Sequence, residues 1–124
     1  MEIVLCAHVG RHLLRGKRVM NAWMIPRPEM LFHPTPKPIE LVRRCIVASS
    51  DFGDTILEPF LGSGSTAIAC ALTGRKCICC EIDSRYFDLA CERIERTYRE
   101  IDSRLPGFEP FPEYAPEQQG SLFD

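Results

Sequence analysis

Two short apolar runs, separated by a helical pattern, occupy the middle of the chain. Residues 55–57 predict a buried strand that ends at Glu58, because Pro59 lacks an N–H for a sheet ladder. Small apolar residues at 67–72 then predict a helix, and residues 76–82 predict a second buried strand. A strand, a helix and a second strand in this order are typical of an α/β unit with parallel strands.

Two further helices are predicted, one on either side of this unit. Residues 85–101 place apolar side chains at helical spacing, so we expect this helix to cover the sheet. Upstream, Pro38 is a favourable residue for the first position of a helix whose apolar face would leave Arg43 and Arg44 outside. The pattern therefore predicts helices packed on a small sheet.

The N-terminal third predicts a β-hairpin with a basic tip. Residues 2–9 and 19–25 carry the apolar side chains of two strands, and Trp23 is large enough to anchor them to a core. Residues 1–45 have a net charge of +5, whereas residues 46–124 have −7. Only the first third favours phosphates, and two interpretations stay open for its basic side chains, a non-specific nucleic-acid contact or a solvated loop. These side chains are Arg11, Arg15, Lys17 and Arg18, with His8 and His12 nearby.

Composition limits the chain to one modest core. The 124 residues are 45% hydrophobic, and no apolar run approaches the roughly 18 residues that span a membrane. The N-terminus lacks the pattern of a signal peptide, so we expect a cytoplasmic protein. The seven cysteines lack the paired spacing of a zinc site and predict buried, reduced thiols. We expect one domain over residues 1–103 and a disordered tail over residues 104–124.

The turn between the first strand and its helix has the features of a ligand-binding loop. Gly62 and Gly64 permit backbone conformations and a close ligand approach that side chains would block, and Ser65 and Thr66 stand at a helix N-terminus. The glycine spacing also fits a dinucleotide fingerprint, but Glu58 at the strand tip would repel a pyrophosphate. A cationic or zwitterionic ligand is favoured, with an ordinary glycine turn as the alternative.

The segment E-P-F-L-G-S-G-S-T at residues 58–66 resembles the cofactor loop D-P-F-x-G-S-G-T of the DNA methyltransferases that make N6-methyladenine or N4-methylcytosine. It departs from that loop by Glu for Asp and by an additional Ser before Thr. The resemblance implies an α/β fold with a partial three-layer αβα, Rossmann-like sheet, and S-adenosylmethionine as the cofactor. It also implies that this segment supplies cofactor-binding residues, namely Glu58, Phe60, Gly62, Ser63, Gly64, Ser65 and Thr66.

A second motif, H-P-T-P-K-P at residues 33–38, resembles the H-P-T-x-K-P that precedes the cofactor loop in the same family. Its alternating prolines hold the backbone extended, so that His33, Thr35 and Lys37 project at little entropic cost. In the family this segment lines the methionine end of the cofactor, where an ammonium suits a carboxylate. A proline-rich linker is the alternative.

A carboxylate also ends the second predicted strand. In nucleoside-binding α/β folds an acid at this place accepts hydrogen bonds from ribose hydroxyls, a role that Glu81 would fill. The family pattern G-R-x-x-x-x-x-E-x-D-x-x-Y matches residues 74–86 and implies that Asp83 also contributes. For Asp83 the alternative is helix capping.

The family's catalytic tetrapeptide, [D/N/S]-P-P-[Y/F/W], has no counterpart, because the chain contains no Pro-Pro. In the subgroup that the chain resembles, that motif lies N-terminal to the segment seen here. We therefore expect a cofactor-binding part that needs a partner chain for catalysis and DNA reading, and an exposed apolar edge where the catalytic strand would pair. The alternatives are a non-catalytic remnant that binds the cofactor weakly or docks a partner through its tail, and a nicotinamide-binding module.

The last residues contain one more short motif. The segment Q-G-S-L-F resembles the Q-L-S/D-L-F pentapeptide by which bacterial proteins dock on the replication sliding clamp, although Gly120 replaces the usual Leu. A Leu-Phe pair on a flexible tail suits a shallow apolar pocket on a partner. A tail that folds back onto its own chain is the alternative. The partner-binding residues would be Gln119, Ser121, Leu122 and Phe123.

Overall fold

The structure, a computed structural model of the chain, describes residues 3–10, 15, 22–26 and 36–103. In these residues helices and strands alternate, in the order α1 (Ile39–Ser49), β1 (Thr55–Glu58), α2 (Ser65–Leu72), β2 (Lys76–Cys79) and α3 (Ser84–Ser103). The helix–strand order predicted for residues 39–103 is therefore confirmed. Within the described residues, no helix combines the length and the apolar character that a membrane crossing requires.

The two strands form a parallel sheet in which Ile56 lies opposite Cys77 and Leu57 lies opposite Ile78. Strand alternation divides these pairs between the two faces. Ile56 and Cys77 face the helices, whereas Leu57 and Ile78 are 66% and 58% exposed on the other face. Because parallel sheets are normally covered on both faces, this unit is the helix-covered half of a layered α/β fold.

The core consists of two adjoining clusters that share Cys77. One joins α1 and α2 through Ile46, Ala69 and Cys70, and the other joins the turn after β1 to α3. Since Cys77 and Cys79 both point into these clusters, all three helices pack on the same face of the sheet. The second cluster contains Leu61, Ala67 and Ala90, with Cys79 and Ile94 packed against it.

A buried arginine holds together the ends of α1 and α2. Arg75 donates one hydrogen bond to the Ser50 carbonyl at 2.8 Å and another to the Thr73 carbonyl at 2.6 Å. Burial lowers the pKa of its guanidinium. Next to it, Gly74 has a φ of +68° and packs under the Phe52 ring, which occupies the space that a side chain would need. This end of the unit is therefore held by the hydrogen bonds of the Arg75 side chain to the main chain and by the Phe52 ring against Gly74.

The predicted N-terminal hairpin is not found in the described residues. Residues 3–10 and 22–26 contain no strand there, and Ile3, Leu5 and Val9 are exposed. Apolar alternation alone does not make a strand, because each strand also needs a partner for its main-chain hydrogen bonds. Trp23 instead lies against Arg44, whose guanidinium carbon is 5.5 Å from the centroid of the Trp23 ring.

Three arginines of the basic third, Arg15, Arg43 and Arg44, are paired with acids. Arg15, which was one of the candidate phosphate contacts, donates to both Asp51 carboxylate oxygens at 2.6 and 2.7 Å. Arg43, expected outside the helix packing, has a side chain only 12% exposed and pairs with Glu40. That expectation was wrong because an i, i+3 ion pair and the long aliphatic stem let an arginine lie against its own helix.

The sheet is open on its outer edge and on one face. β1 pairs only with β2 within the described residues, so its second edge has no strand partner there. On α3, Phe87 and Tyr98 are 42% and 50% exposed, although the helical pattern predicted that they would cover the sheet. The described sheet of two strands is too narrow to bury the full length of a 20-residue helix.

Candidate functional site

The carboxylate at the tip of β1 closes the start of the glycine turn. One oxygen of Glu58 accepts the Phe60 N–H at 2.9 Å, and the other accepts the Thr66 hydroxyl at 2.7 Å. Residue 66 lies in the first turn of α2, so this single side chain joins the strand end to the helix start. The Phe60 ring between them is 86% exposed and lies on the surface of the turn.

The carboxylate after β2 reaches across to the same turn. Glu81 accepts the Gly62 N–H at 2.8 Å through one oxygen and the Asp83 N–H at 3.1 Å through the other. These two N–H donors, first that of Asp83 and then that of Gly62, lower the pKa of the Glu81 carboxyl. An ionised carboxylate has about four lone-pair sites, so each oxygen keeps acceptor capacity for a ligand hydroxyl.

Gly64 occupies the N-cap of α2 with a φ of +81°, in the left-handed region that favours glycine. The conformational role predicted for it is therefore confirmed. The space beside the Gly64 Cα is filled by α3, whereas the sequence predicted that a ligand would approach closely there. A Cβ added to Gly64 would lie 3.4 Å from Ile94 and 3.5 Å from Ala90. On that side the neighbour of Gly64 is α3 rather than open space for a ligand.

The two serines of the turn point inward. Ser65 donates its hydroxyl to the Lys37 carbonyl at 2.8 Å, and the Ser63 and Ser65 hydroxyl oxygens lie 3.1 Å apart. Both serines are buried. The bond to Lys37 joins the glycine turn to the Pro-rich segment before α1, 28 residues earlier in the chain. The two predicted cofactor segments are thus in direct contact.

Arg93 is a residue of this site that the sequence did not single out. From α3 it donates to the Ser63 carbonyl at 2.7 Å, with a longer contact of 3.4 Å to the Ser65 hydroxyl. Burial lowers the pKa of its guanidinium. The signal was present in the helical spacing, since Arg93 lies three residues after Ala90 and beside Ile94, on the buried face of α3. An arginine on the apolar face of a predicted helix is a signal that the sequence already contained.

Asp83 caps α3, as its alternative interpretation predicted. One of its oxygens accepts the N–H of Arg85 at 2.9 Å and that of Tyr86 at 3.3 Å. The Tyr86 N–H is the main cause of the lowered pKa of the Asp83 carboxyl, and burial opposes it. The cap fixes the direction in which α3 leaves the Glu81 loop.

Two parts of the predicted site lie outside the described residues. These are His33 and Thr35 of the Pro-rich segment, and the tail motif with Gln119, Ser121, Leu122 and Phe123. Of the Pro-rich segment, Lys37 is described and has an exposed side chain. The remaining predicted residues gather around one turn, because β1 and β2 are parallel and adjacent, so their carboxyl ends open at the same edge.

This geometry agrees with the comparisons with known proteins. Residues 14–92 match the model of a DNA methylase family, that of the N6 and N4 methyltransferases. The chain belongs to this family. It is 41% identical over 95 residues to the type II methyltransferase M.HpaI of Haemophilus parainfluenzae, covering 73% of this chain and 30% of that protein. It is also 41% identical over 80 residues to the DNA adenine methyltransferase YhdJ of Escherichia coli K12, covering 60% of this chain and 27% of that protein.

A solved structure has the same fold over about two thirds of this chain. It is the crystal structure of the M1.HpyAVI–SAM complex, which superimposes with a TM-score of 0.60 at 29% sequence identity. The match covers 67% of this chain and 43% of that chain. The chain therefore spans less than half the length of the relatives that it matches. Its fold is the partial Rossmann-like α/β sheet that the family resemblance implied.

Proposed function

We propose that this chain forms the S-adenosylmethionine-binding part of a DNA methyltransferase acting on the amino group of adenine or cytosine. The observation that carries the proposal is the joint placement of Glu58 and Glu81 around one glycine turn, at the open ends of adjacent parallel strands. Family membership supports the same conclusion. The fold alone would not, because Rossmann-like sheets bind many ligands.

The residues of the turn suit the chemical parts of this cofactor. Glu81 keeps acceptor capacity for ribose hydroxyls, and Phe60 offers an exposed ring beside the turn. Lys37, with His33 and Thr35 of the same segment, would receive the methionine carboxylate. The hydroxyls of Ser63 and Ser65 are used within the protein, so these residues would meet the ligand through the main chain.

The cofactor supplies an activated methyl group for direct transfer to the base amine. What this chain contributes is placement: the charges and N–H groups of the turn hold the donor in one orientation relative to an incoming nucleophile. No residue of the described site is a general base for the target amine in this proposal. Binding and orientation of the donor are its whole part in the reaction.

The groups that hold the target base would come from a partner chain. Within the 124 residues there is no Pro-Pro, and hence no [D/N/S]-P-P-[Y/F/W] tetrapeptide. DNA is the substrate in this proposal, in keeping with the cytoplasmic location expected from the sequence and with a place in a restriction-modification system. Docking of the tail on a replication sliding clamp is a separate part of the proposal, and a peptide of residues 115–124 tested against purified clamp would decide it.

The deciding experiment is calorimetric titration of the 124-residue chain with S-adenosylmethionine, with NADH as the control ligand. We expect saturable binding of S-adenosylmethionine and none of NADH at the same concentrations. Equal binding of both ligands would favour a general nucleotide site. Absence of binding by a folded sample would favour the alternative, a non-catalytic remnant whose tail docks a partner.

A further inference from the structure

The guanidinium of Arg93 lies against the turn that carries the proposed cofactor site. Its Nη1 is 2.7 Å from the Ser63 carbonyl oxygen and 3.4 Å from the Ser65 hydroxyl. Gly64, between these two serines, packs against Ala90 and Ile94 of the same helix face. Three successive residues of the turn are thus held by one face of α3.

This contact is one end of a longer chain of hydrogen bonds. Arg93 reaches Ser63 and Ser65, and Ser65 in turn donates to the Lys37 carbonyl at 2.8 Å. The chain therefore connects α3, the glycine turn and the Pro-rich segment before α1. These segments are far apart in sequence, and Arg93 lies 30 residues beyond Ser63. This connection links the two segments that were predicted to hold the cofactor.

The placement of Arg93 is costly unless it has a use. A partly buried cation normally pairs with an acid, as Arg43 does with Glu40. In the described part of the chain Arg93 has no carboxylate partner, and its bonds go to a carbonyl and a hydroxyl. It also stands beside the N-terminus of α2, where the helix dipole disfavours a positive charge. A neutral side chain would pack there at lower electrostatic cost.

We propose that Arg93 is a positioning residue for S-adenosylmethionine binding, which fixes the Ser63 carbonyl and the Ser65 hydroxyl so that the turn is preorganised for the ligand. This rests on the proposed function of the turn. Arg93 acts through the main chain of residues 63–65. A turn left free to move would have to be ordered when the ligand binds, and that ordering would be subtracted from the affinity.

The chain offers a matched control in Arg75. Arg75 is a buried arginine that, like the partly buried Arg93, donates to the main chain, here to the carbonyls of Ser50 and Thr73 at the C-terminal end of α2. Loss of Arg75 should destabilise the fold without touching the turn. Comparing Arg93→Gln with Arg75→Gln therefore separates positioning of the turn from general stability.

The test is calorimetric titration of S-adenosylmethionine into the parent chain and the variants, with thermal unfolding measured on the same samples. For Arg93→Gln we expect the dissociation constant to rise about tenfold, and for Arg93→Lys, which keeps one donor, about threefold. For Arg75→Gln we expect a lower unfolding temperature and a dissociation constant within about twofold of the parent. If Arg93→Gln does not fold, Arg93→Lys against Arg75→Lys decides by the same criterion.

Two results would overturn the proposal: a dissociation constant unchanged in the Arg93 variants, or one raised equally by the Arg75 variants. Amide hydrogen exchange without ligand distinguishes failure of this proposal from failure of the proposed function. If the parent chain does not bind S-adenosylmethionine, the cofactor assignment fails. Faster exchange at residues 62–66 in the Arg93 variant alone would still support positioning of the turn, and equal exchange in both variants would refute it.

Discussion

The Glu81 carboxylate accepts the N–H of Gly62 at 2.8 Å, although 19 residues separate them in the chain. This bond joins the loop after β2 to the turn after β1. A second N–H, that of Asp83, binds the other oxygen, so the carboxylate is oriented before any ligand arrives. Orientation of this kind reduces the entropy that binding must overcome.

Removing the charge of Glu81 should weaken ligand binding. In Glu81→Gln the amide has one acceptor oxygen in place of two, and its NH₂ group would face either the Gly62 or the Asp83 N–H. We expect the S-adenosylmethionine dissociation constant to rise roughly tenfold or more, measured by calorimetry. Glu92→Gln, at an exposed position on α3, is the control and should leave it unchanged. Equal affinity in both variants would mean that Glu81 only shapes the loop.

Alanine substitutions at three glycines with positive φ should lower the free energy of unfolding by different amounts. Gly53 has φ +85° and open space around its missing Cβ, so Gly53→Ala should cost only the backbone strain of about 1 kcal/mol. Gly64→Ala places its Cβ in ordinary van der Waals contact with Ile94, 3.4 Å away, so its stability cost should be close to that of Gly53→Ala, with weaker ligand binding. Gly74→Ala would overlap the Phe52 ring and should be the most damaging. Urea unfolding of the three variants gives the order.

The bulkier change Gly64→Val should reduce both ligand binding and helix content. If Gly64 served only the turn and the ligand, as the sequence predicts, binding would be lost with helix content largely kept. The structure changes that expectation, because the valine side chain would push on α3 as well as straining the turn. Circular dichroism measured beside calorimetry checks it, and an unchanged helix signal would show that α3 can move aside.

Glu40 should make the stability of α1 depend on acid pH. The guanidinium of Arg43, followed by that of Arg44, lowers the pKa of the Glu40 carboxyl from 4.5 to about 2. Because this pKa is lowered, the stabilisation that the Glu40 carboxylate contributes is complete above about pH 4.5 and is lost as the pH falls toward 2. The Glu40 side chain is 39% exposed, so the total should be about 1 kcal/mol or less.

The measurement for Glu40 is urea unfolding of the parent chain and Glu40→Gln across that pH window. The difference in unfolding free energy should shrink as the pH falls. In a chain that also carries Arg43→Met and Arg44→Met, the difference should no longer vary in this way. A difference that persists at pH 2 would point to a packing role for the Glu40 stem.

A lysine at each of two neighbouring positions of β1 should change the stability of the chain by very different amounts. Ile56 packs into the core with Ile46 and Cys70, so Ile56→Lys should cost about 3 kcal/mol or more. Leu57 is 66% exposed on the opposite face, so Leu57→Lys should change stability by less than about 0.5 kcal/mol and reduce binding of a hydrophobic dye. Equal damage from both would mean that residues outside the described ranges cover Leu57.

The sequence was sufficient where a local rule and the packing agree. Pro59 ends β1 after Glu58, and the small residues from Ala67 onward fill the space between α1, the sheet and α3. The acids at the strand ends were also predictable, because parallel adjacent strands bring their carboxyl ends together.

The sequence was insufficient where position depends on a distant partner. The apolar side chains of residues 2–9 predicted a strand, but the described residues 3–9 lack the pairing partner that a strand needs. Arginine is a residue type that normally lies on the protein surface. The Arg93 side chain points inward because the Ser63 carbonyl lies under α3. The helical spacing places Arg93 on the apolar face of α3, but a hydrogen bond to a main-chain atom leaves no mark in the residue types, so its partner could not be predicted from the sequence.

The cysteines divide into an outer and an inner set with different reactivity. The prediction of buried thiols is wrong for Cys6 and Cys80, which are exposed, whereas Cys70 is buried between α1 and the sheet. Burial raises the pKa of Cys77 to about 11 and that of Cys79 to about 12, so at neutral pH almost no thiolate is available to react. An alkylating reagent would thus mark the outer thiols at once and the inner ones only as α2 lifts from the sheet. The rate at which the inner thiols are alkylated would therefore report how fast the core opens.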